Sequence, residues 1–401
     1  MNCLDGLKVI DITQFLSASY CTQILGDLGA DVIKIERPGS GEVYRTYGPK
    51  FIKGESTSFL ALNRNKRSLP LNMKEPAGQE VIRRLVKTAD VLVENFRPGT
   101  LKKYGLDFES LQAVNPRLIY CSVSGFGQTG PYAPKGGFDL SAQAMSGVMY
   151  VTGEENGPPV KVGYPISDIG GGLYAGLGIL AALASREKTG KGQLVDTSLF
   201  EAGVAWGMMA GLNYFADGSI QGRMGSASPQ NAPYQAFTVK DGAFTMGTGN
   251  DMLWEKFCIL FDMTYLMEDK RYQDNASRVK NQRALAAEIE KVLKDLTVEE
   301  CLEKLDSAGI PCGPIHSIDQ VMKDPHVLAR GMIWDIEHPV AGKIPTIGFP
   351  VFFSHTPCRR RDYPPLLGEH TREILQAAQY SPEEIDGLIA AGITSVRKEH
   401  K

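Results

Sequence analysis

The sequence predicts an α/β protein built on a Rossmann-like parallel sheet, and three observations carry that expectation. Short β-branched runs alternate with stretches of helical spacing through the N-terminal half. The segments between successive runs are long enough for helical crossovers, and glycine or proline marks most changes of period. The chain has 401 residues, 43% of them apolar and 22% charged, which is ordinary globular composition. At about 150 residues per domain, two or three domains are expected.

Residues 7–12 read as the first strand, 18–28 as a helix stopped by Gly29, and 31–36 as the second strand. The pattern returns with a helix over 77–88 and a strand at 91–93, then with a helix over 108–114 and a strand over 118–123. After Asp168 come a glycine-rich helix to about residue 187, a Thr-Gly-Lys-Gly turn at 189–192, a strand over 193–196 and a long apolar helix over 199–215. Residues 218–233 have the Gly, Ser, Pro and Asn content of a linker. A hairpin of 234–239 and 243–247 opens a second unit with helices near 251–261, 282–294 and 297–308. The last of these has a capping box, Thr297-Val-Glu-Glu300, and a Gly309 stop. Residues 310–330 turn Pro- and Gly-rich again, and the tail carries two short helices, the second starting at Ser381 and ending at Gly392.

Several function classes find no support. With 43 basic and 46 acidic side chains the net charge is −3, so no diffuse polyanion-binding role is indicated. Seven cysteines lie scattered without a C-x-x-C pair, which suggests reduced thiols rather than a disulfide framework or a zinc ribbon. The histidines at 316, 326, 338, 355, 370 and 400 form no metal-binding pair. A literal G-x-G-x-x-G, Gly125 to Gly130, follows a strand, but Pro131 and Pro134 prevent a helix from starting there. The first βα turn, where a dinucleotide fingerprint belongs, reads Phe15-Leu-Ser-Ala and has no glycine. The longest apolar stretch, 173–184, has 12 residues, fewer than the about 20 a membrane crossing needs. No basic-then-apolar leader opens the chain, so a cytoplasmic protein is expected.

Asp168 stands at the start of an apolar helix, before Ile169-Gly-Gly-Gly172. From the residues alone a plain N-cap is the stronger reading, since Asp is favoured there whatever the function. The glycines favour function: they weaken a helix, yet they let a ligand approach the backbone, and free N–H groups there could support an oxyanion. Cations follow the strand ends: Arg37, the Arg64-Asn-Lys-Arg67 group, Lys74, Arg97, Lys102 and Lys103. Strand ends of an α/β sheet converge on one crevice, where such cations would suit a ligand with several phosphates, or they are solvated loop charges.

Eight ordered motifs add a family resemblance. They are Leu28-Gly-Ala-Asp-Val-Ile-Lys-Ile-Glu-Arg-Pro38, Asn65-Lys-Arg-Ser68, Glu94-Asn-Phe-Arg-Pro-Gly99, Ser124-Gly-Phe-Gly-Gln-Thr-Gly-Pro131, Asp168-Ile-Gly-Gly171, Lys188-Thr-Gly-Lys-Gly-Gln193, Gly309-Ile-Pro-Cys-Gly-Pro314 and Pro365-Leu-Leu-Gly-Glu-His-Thr371. Through them the chain resembles the class III CoA-transferases, the CaiB/BaiF family, over about residues 4–393. The resemblance implies an interlocked homodimer. Its Rossmann-like large domain would come from residues 1–217 and 331–401, and a smaller α+β domain from 234–309 between linkers 218–233 and 310–330.

It further implies that Asp168 is the catalytic residue. Coenzyme A contacts would fall on Arg37, on Leu71, Asn72, Met73 and Lys74, on Asn95, Phe96 and Arg97, on Lys103, and on Lys135, Gly136, Gly137 and Phe138. No metal is implied, and no cofactor beyond the acyl-CoA substrate; the other partner is a carboxylic acid, with no nucleic acid or membrane. Racemase members of the family place a histidine where Phe138 stands and a glutamate where Asn250 stands. Neither present residue can exchange an α-proton, so the resemblance favours CoA transfer over epimerisation, and over a CoA-binding protein without chemistry. The likeness is greatest to members using short dicarboxylates such as succinate, glutarate or oxalate. In such an enzyme Asp168 attacks the thioester, with amides of Ile169 to Gly171 expected to support the oxyanion.

Overall fold

In the computed structural model, strand β1 (Lys8–Ile12) is the centre on which the N-terminal half is laid down. Helix α1 (Ser17–Asp27) returns the chain to β2 (Asp31–Glu36), which pairs parallel to β1 with Val9 opposite Val32. Ile10, Ile12, Ile33 and Ile35 enter one core, while Val9 and Val32 enter a second core on the opposite sheet face. That is the period of two expected of a sheet covered on both sides. The structure describes residues 2–358 and 362–397; His400 and the end of the 331–401 segment lie outside the described residues.

Four further strands complete the sheet: β3 (Lys66–Pro70), β4 (Val91–Glu94), β5 (Ile119–Ser124) and β6 (Leu194–Ser198). Their order is β3-β2-β1-β4-β5-β6, all parallel. Crossovers include α2 (Pro76–Val86), α3 (Phe108–Val114) and, after the short α4 (Asp139–Met145), the long α5 (Ile166–Thr189). This doubly wound order reverses between β1 and β4, so a crevice opens at the carboxyl ends of those two strands.

The sequence expectation assigned no strand to 66–70; the chain forms edge strand β3 there, with Arg64 and Asn65 just before it. Its sequence, Lys-Arg-Ser-Leu-Pro, has no apolar alternation, and side-chain bonds hold it instead. Ser68 Oγ donates to Glu36 at 2.6 Å, and Lys66 is buried.

The expected single helix over 199–215 is two, α6 (Leu199–Trp206) and α7 (Met208–Asp217), interrupted at Gly207. Helix α5 has 24 residues and enough apolar character to meet the length and composition of a membrane span. Ala175, Ile179 and Ala182 bury one face of it in the sheet core, while Leu173 and Leu177 expose the other. The glycines at its start are required by packing rather than by a ligand. A Cβ on Gly170 would lie 2.4 Å from Trp206, and one on Gly172 2.4 Å from the Ser17 carbonyl oxygen.

The chain divides into two compact units. The first takes in Met1–Val148, Val162–Met208 and Pro325–Lys401; the second takes in Met149–Lys161 and Met209–Asp324. In the second, β7 (Tyr234–Val239), β8 (Gly242–Gly247) and, later in the chain, β9 (Cys312–Pro314) make an antiparallel sheet. Around it pack α8 (Asp251–Leu260), α9 (Gln282–Leu293) and α10 (Val298–Ser307), burying Phe237, Phe244, Phe257 and Ile289. Thr297 and Glu300 form the capping box expected from the sequence. Within the first unit, helices α11 (Thr371–Ala377) and α12 (Pro382–Ala390) return to the large sheet. Ile374, Leu375 and Ile385 join the core of Ile10 and Leu69 there.

One ionic cluster lies under the crevice. Asp11 is wholly buried on β1; Lys66 Nζ donates to it at 3.0 Å, and Lys34 Nζ lies 3.8 Å away. Burial alone would raise the Asp11 pKa, but the two ammonium groups and the Thr13 and Thr22 hydroxyls hold it below the usual carboxylate range. Burial also lowers Lys66, to about 8, against the pull of Asp11. Removing one partner of such a cluster strands a charge in a dry site. Asp11→Asn should therefore lower unfolding free energy by about 3 kcal/mol in urea titrations, and adding Lys66→Met should recover part of that loss. A variant as stable as the wild type would contradict this account of the cluster.

Candidate active site

The loop that leaves β1 crosses the crevice without regular hydrogen bonding, and side chains take up its backbone groups one after another. Thr13 N–H donates to Asp11 at 2.8 Å, and the Thr13 carbonyl accepts from Lys34 Nζ at 3.1 Å. The Asn95 amide, just past β4, holds both sides of Gln14: its oxygen accepts from Gln14 N–H at 2.9 Å, and its nitrogen donates to the Gln14 carbonyl at 2.6 Å. Phe15 N–H donates to Glu42 at 2.9 Å. Phe15 sits at φ 61°, a left-handed conformation that costs a residue with a Cβ about 1–2 kcal/mol.

This loop contributes to the lining of two cavities. The smaller, about 340 Å³, is lined by Phe15, Ser17 and Asp168 together with Arg37, Asn95, Phe96, Arg97, Lys135, Gly136, Gly137 and Phe138. The larger, about 630 Å³, is lined by Arg37, Leu71, Asn72, Met73, Lys74 and Phe96, with Leu101 and Tyr104. Gln14, Arg37 and Phe96 belong to both. Asp168 and every coenzyme A contact that the resemblance implies line one cavity or the other except Lys103, which is exposed with Lys102 on the Leu101–Tyr104 turn. Asn95 lines the smaller cavity, but its amide is engaged with Gln14.

Asp168 lies in the first turn of α5, whose N-cap position is Pro165, so it is not the plain cap that the sequence allowed. The capping is done by Asp139, which sequence reasoning passed over. Its Oδ1 accepts from Ser167 N–H at 2.9 Å and Asp168 N–H at 3.3 Å, and its Oδ2 accepts from Gln143 at 2.7 Å. The Asp168 carboxylate accepts no hydrogen bond from a described residue. Burial first, and the Asp139 charge second, raise it to about 7. Tyr44 is raised to about 12 by burial and by the charges of Asp168 and Glu42, so its phenol stays neutral.

The expectation of oxyanion support from the Ile169 to Gly171 amides fails, because the helix start is satisfied from within the protein. Ile166 N–H bonds the Tyr164 carbonyl, Ser167 and Asp168 bond Asp139, and Ile169 N–H bonds the Pro165 carbonyl at 3.0 Å. Gly170 and Gly171 lie inside the helix, where amides bond the fourth residue back. What remains at the cavity is the start of α1, where the buried Ser17 hydroxyl has no partner.

The cations separate into two kinds. Arg64 pairs with Asp27, Lys66 with Asp11, and Arg67 with both Asp31 and Glu373, so the expected Arg64–Arg67 phosphate site does not exist. Arg37, Lys74 and Arg97 line the cavities and pair with no carboxylate among the described residues. Lys135 likewise has no carboxylate partner there, and lies 4.1 Å from the Tyr132 ring centre. A Cβ on Gly136 would fall 2.7 Å from the Arg97 guanidinium, so a side chain there would displace that arginine.

Comparison with known proteins follows this geometry. The chain is 39% identical over 398 residues to succinyl-CoA:glutarate CoA-transferase from Homo sapiens, covering 99% of this chain and 91% of that protein. It is 41% identical over 330 residues to acetyl-CoA:oxalate CoA-transferase from Acetobacter aceti, covering 82% and 85% respectively. The crystal structure of a CAIB/BAIF family protein from Brucella suis superposes with a TM-score of 0.83 at 41% identity, over 94% of this chain and 100% of that one. The description of CoA-transferase family III matches residues 4–371, most of the chain and every strand of the large sheet, and the chain belongs to that family.

Proposed function

We propose that this protein is an acyl-CoA:carboxylate CoA-transferase in which Asp168 forms a covalent intermediate, with a short dicarboxylate as donor or acceptor acid. The observation that carries the reading is the Asp168 carboxylate. It is desolvated, it accepts no hydrogen bond from the described residues, and it shares a cavity with unpaired arginines. The substrates of the glutarate and oxalate relatives support the dicarboxylate class.

The nucleotide end of coenzyme A takes the larger cavity. Its base lies among Leu71, Met73, Phe96 and Tyr104, and its phosphates lie toward Lys74 and, past Arg37, which lines both cavities, toward Arg97. The thioester then reaches past Gln14 into the smaller cavity. A carboxylate oxygen of Asp168 attacks the thioester carbonyl; the C–S bond breaks, leaving an acyl-aspartyl anhydride and CoA thiolate. The thiolate attacks the aspartyl carbonyl, forming an aspartyl-CoA thioester and releasing the donor acid as carboxylate. An acceptor carboxylate attacks that thioester, and the thiolate returns to the acceptor acyl carbon, regenerating Asp168. Each step exchanges one acyl bond for another, splitting a difficult exchange into easier ones. The Ser17 hydroxyl, buried without a partner on the cavity wall, donates to the developing oxyanion.

Epimerisation is not favoured. Phe138 lines the cavity without a titratable group, and Asn250 spends its side-chain oxygen capping α8 at Leu253 N–H, 2.9 Å away. The proposal includes an interlocked homodimer in the cytoplasm. In the first unit, Leu173, Tyr174, Leu177 and Leu180 expose one apolar face of α5, a surface suited to a second copy.

Asp168→Asn should lower kcat by at least about 10³-fold while the protein still folds and binds coenzyme A. Near-normal turnover would remove the nucleophile assignment. Arg37→Ala and Arg97→Ala should raise KM for acyl-CoA about tenfold with smaller effects on kcat, because phosphate contacts remote from the acyl carbon supply uniform binding. Unchanged affinity for both CoA and dephospho-CoA would show these arginines to be solvated charges.

The nucleophile must be ionised, so kcat/KM should rise with pH through about 7, the value set for Asp168, and level off above it. Glu94, raised by burial to about 7, titrates in the same range. Asp139→Asn keeps an oxygen for the two amides and removes the like charge. It should move the limb to lower pH, though only partly, since burial is the larger cause. A limb that moves in Glu94→Gln but not in Asp139→Asn belongs to Glu94.

A further inference from the structure

We propose that Phe15 is the specificity-determining residue for acyl length, and that the buried Glu42 is the positioning residue that holds it beside Asp168. The inference rests on the transferase reading and adds what that reading leaves open, namely what limits the acyl group.

The Phe15 ring lines the cavity that contains Asp168 and is the hub of an aromatic cluster. It meets Tyr44 edge-on at 5.5 Å between centroids, Phe138 at 6.0 Å and Tyr47 at 6.5 Å. Phe15 and Phe138 line this cavity together with Asp168, and Arg37, Arg97 and Lys135 supply its cations. An acyl group that reaches Asp168 therefore shares the cavity with the Phe15 ring.

Phe15 does not hold this place by backbone preference, because its φ of 61° is disfavoured for any residue with a Cβ. Glu42 holds it. One carboxylate oxygen accepts both Phe15 N–H at 2.9 Å and Tyr44 N–H at 3.2 Å, so a single group sets two members of the cluster. The other oxygen is buried without a hydrogen bond and lies 3.9 Å from Lys34 Nζ, which ties the clamp to the cluster under the crevice. Glu42 itself is 3% exposed and reaches the acyl end only through these amides.

The test is the ratio of kcat/KM across succinyl-, glutaryl-, adipyl- and suberyl-CoA, with one acceptor acid throughout and CoA affinity measured alongside. Wild type should favour the short donors. Phe15→Ala should shift the ratio toward the long donors by about tenfold, the scale on which apolar pockets discriminate size, with CoA affinity unchanged. Glu42→Ala should shift it the same way, and adding Glu42→Ala to Phe15→Ala should shift it no further. Glu42→Gln, which keeps an oxygen for both amides, should retain the wild-type ratio. The proposal is overturned if Phe15→Ala keeps the wild-type ratio, if it loses transfer from every donor alike, or if the two substitutions act additively. Should Glu42→Ala fail to fold, the Phe15→Ala and Glu42→Gln ratios decide the matter. A wild-type protein that transfers CoA from no donor would instead refute the transferase reading itself.

Discussion

Asp11, Lys34 and Lys66 meet in a place without water, and the geometry of the crevice descends from their meeting. Three charges on adjacent strands β1, β2 and β3 cannot be left dry unless each is held by the others and by hydrogen bonds, because an unpaired charge there costs several kcal/mol. Thr13, Ser19, Thr22 and Asn63 supply those bonds. The arrangement does not end at the strand tips. Asp11 holds the Thr13 amide, Lys34 holds the Thr13 carbonyl and approaches Glu42, and Glu42 holds Phe15. Stability and site geometry are thus carried by one set of bonds. A loop with no secondary structure becomes as determinate as the sheet that precedes it.

Much of this fold is legible in the sequence, because local period and global architecture agree. Strand β2 and helix α3 fall on the residues their periodicity indicates, and the glycine stops at Gly29 and Gly309 lie at helix ends. Strand β3 is illegible for a physical reason: it is held by Lys66 and Ser68, whose partners lie on other strands, so no local pattern announces it. The same holds at the site. Arg37 and Arg64 look alike in sequence, but only the structure shows that Asp27 neutralises one while the other faces a cavity unpaired.

The sequence offered Asp168 two roles, cap and functional carboxylate, and the structure gives the first of them to Asp139. Capping belongs to Asp139, which receives the first amides of α5, and this leaves the Asp168 carboxylate free of backbone bonds and close to a like charge. The two functions conflict in a single side chain, since a carboxylate engaged in capping is held in its charged form and away from a substrate. The glycines after Asp168 change meaning too. They admit Trp206 and the Ser17 backbone, bringing the start of α1 against α5.

The account turns on a covalent bond to one side chain, and mass spectrometry of the protein quenched during turnover measures that bond directly. With a donor acyl-CoA present and hydroxylamine added, the peptide containing Asp168 should carry the mass of a hydroxamate. Without hydroxylamine it should carry that of a CoA thioester. An unmodified Asp168 in protein that is turning over, or a label on any other residue, would contradict the account.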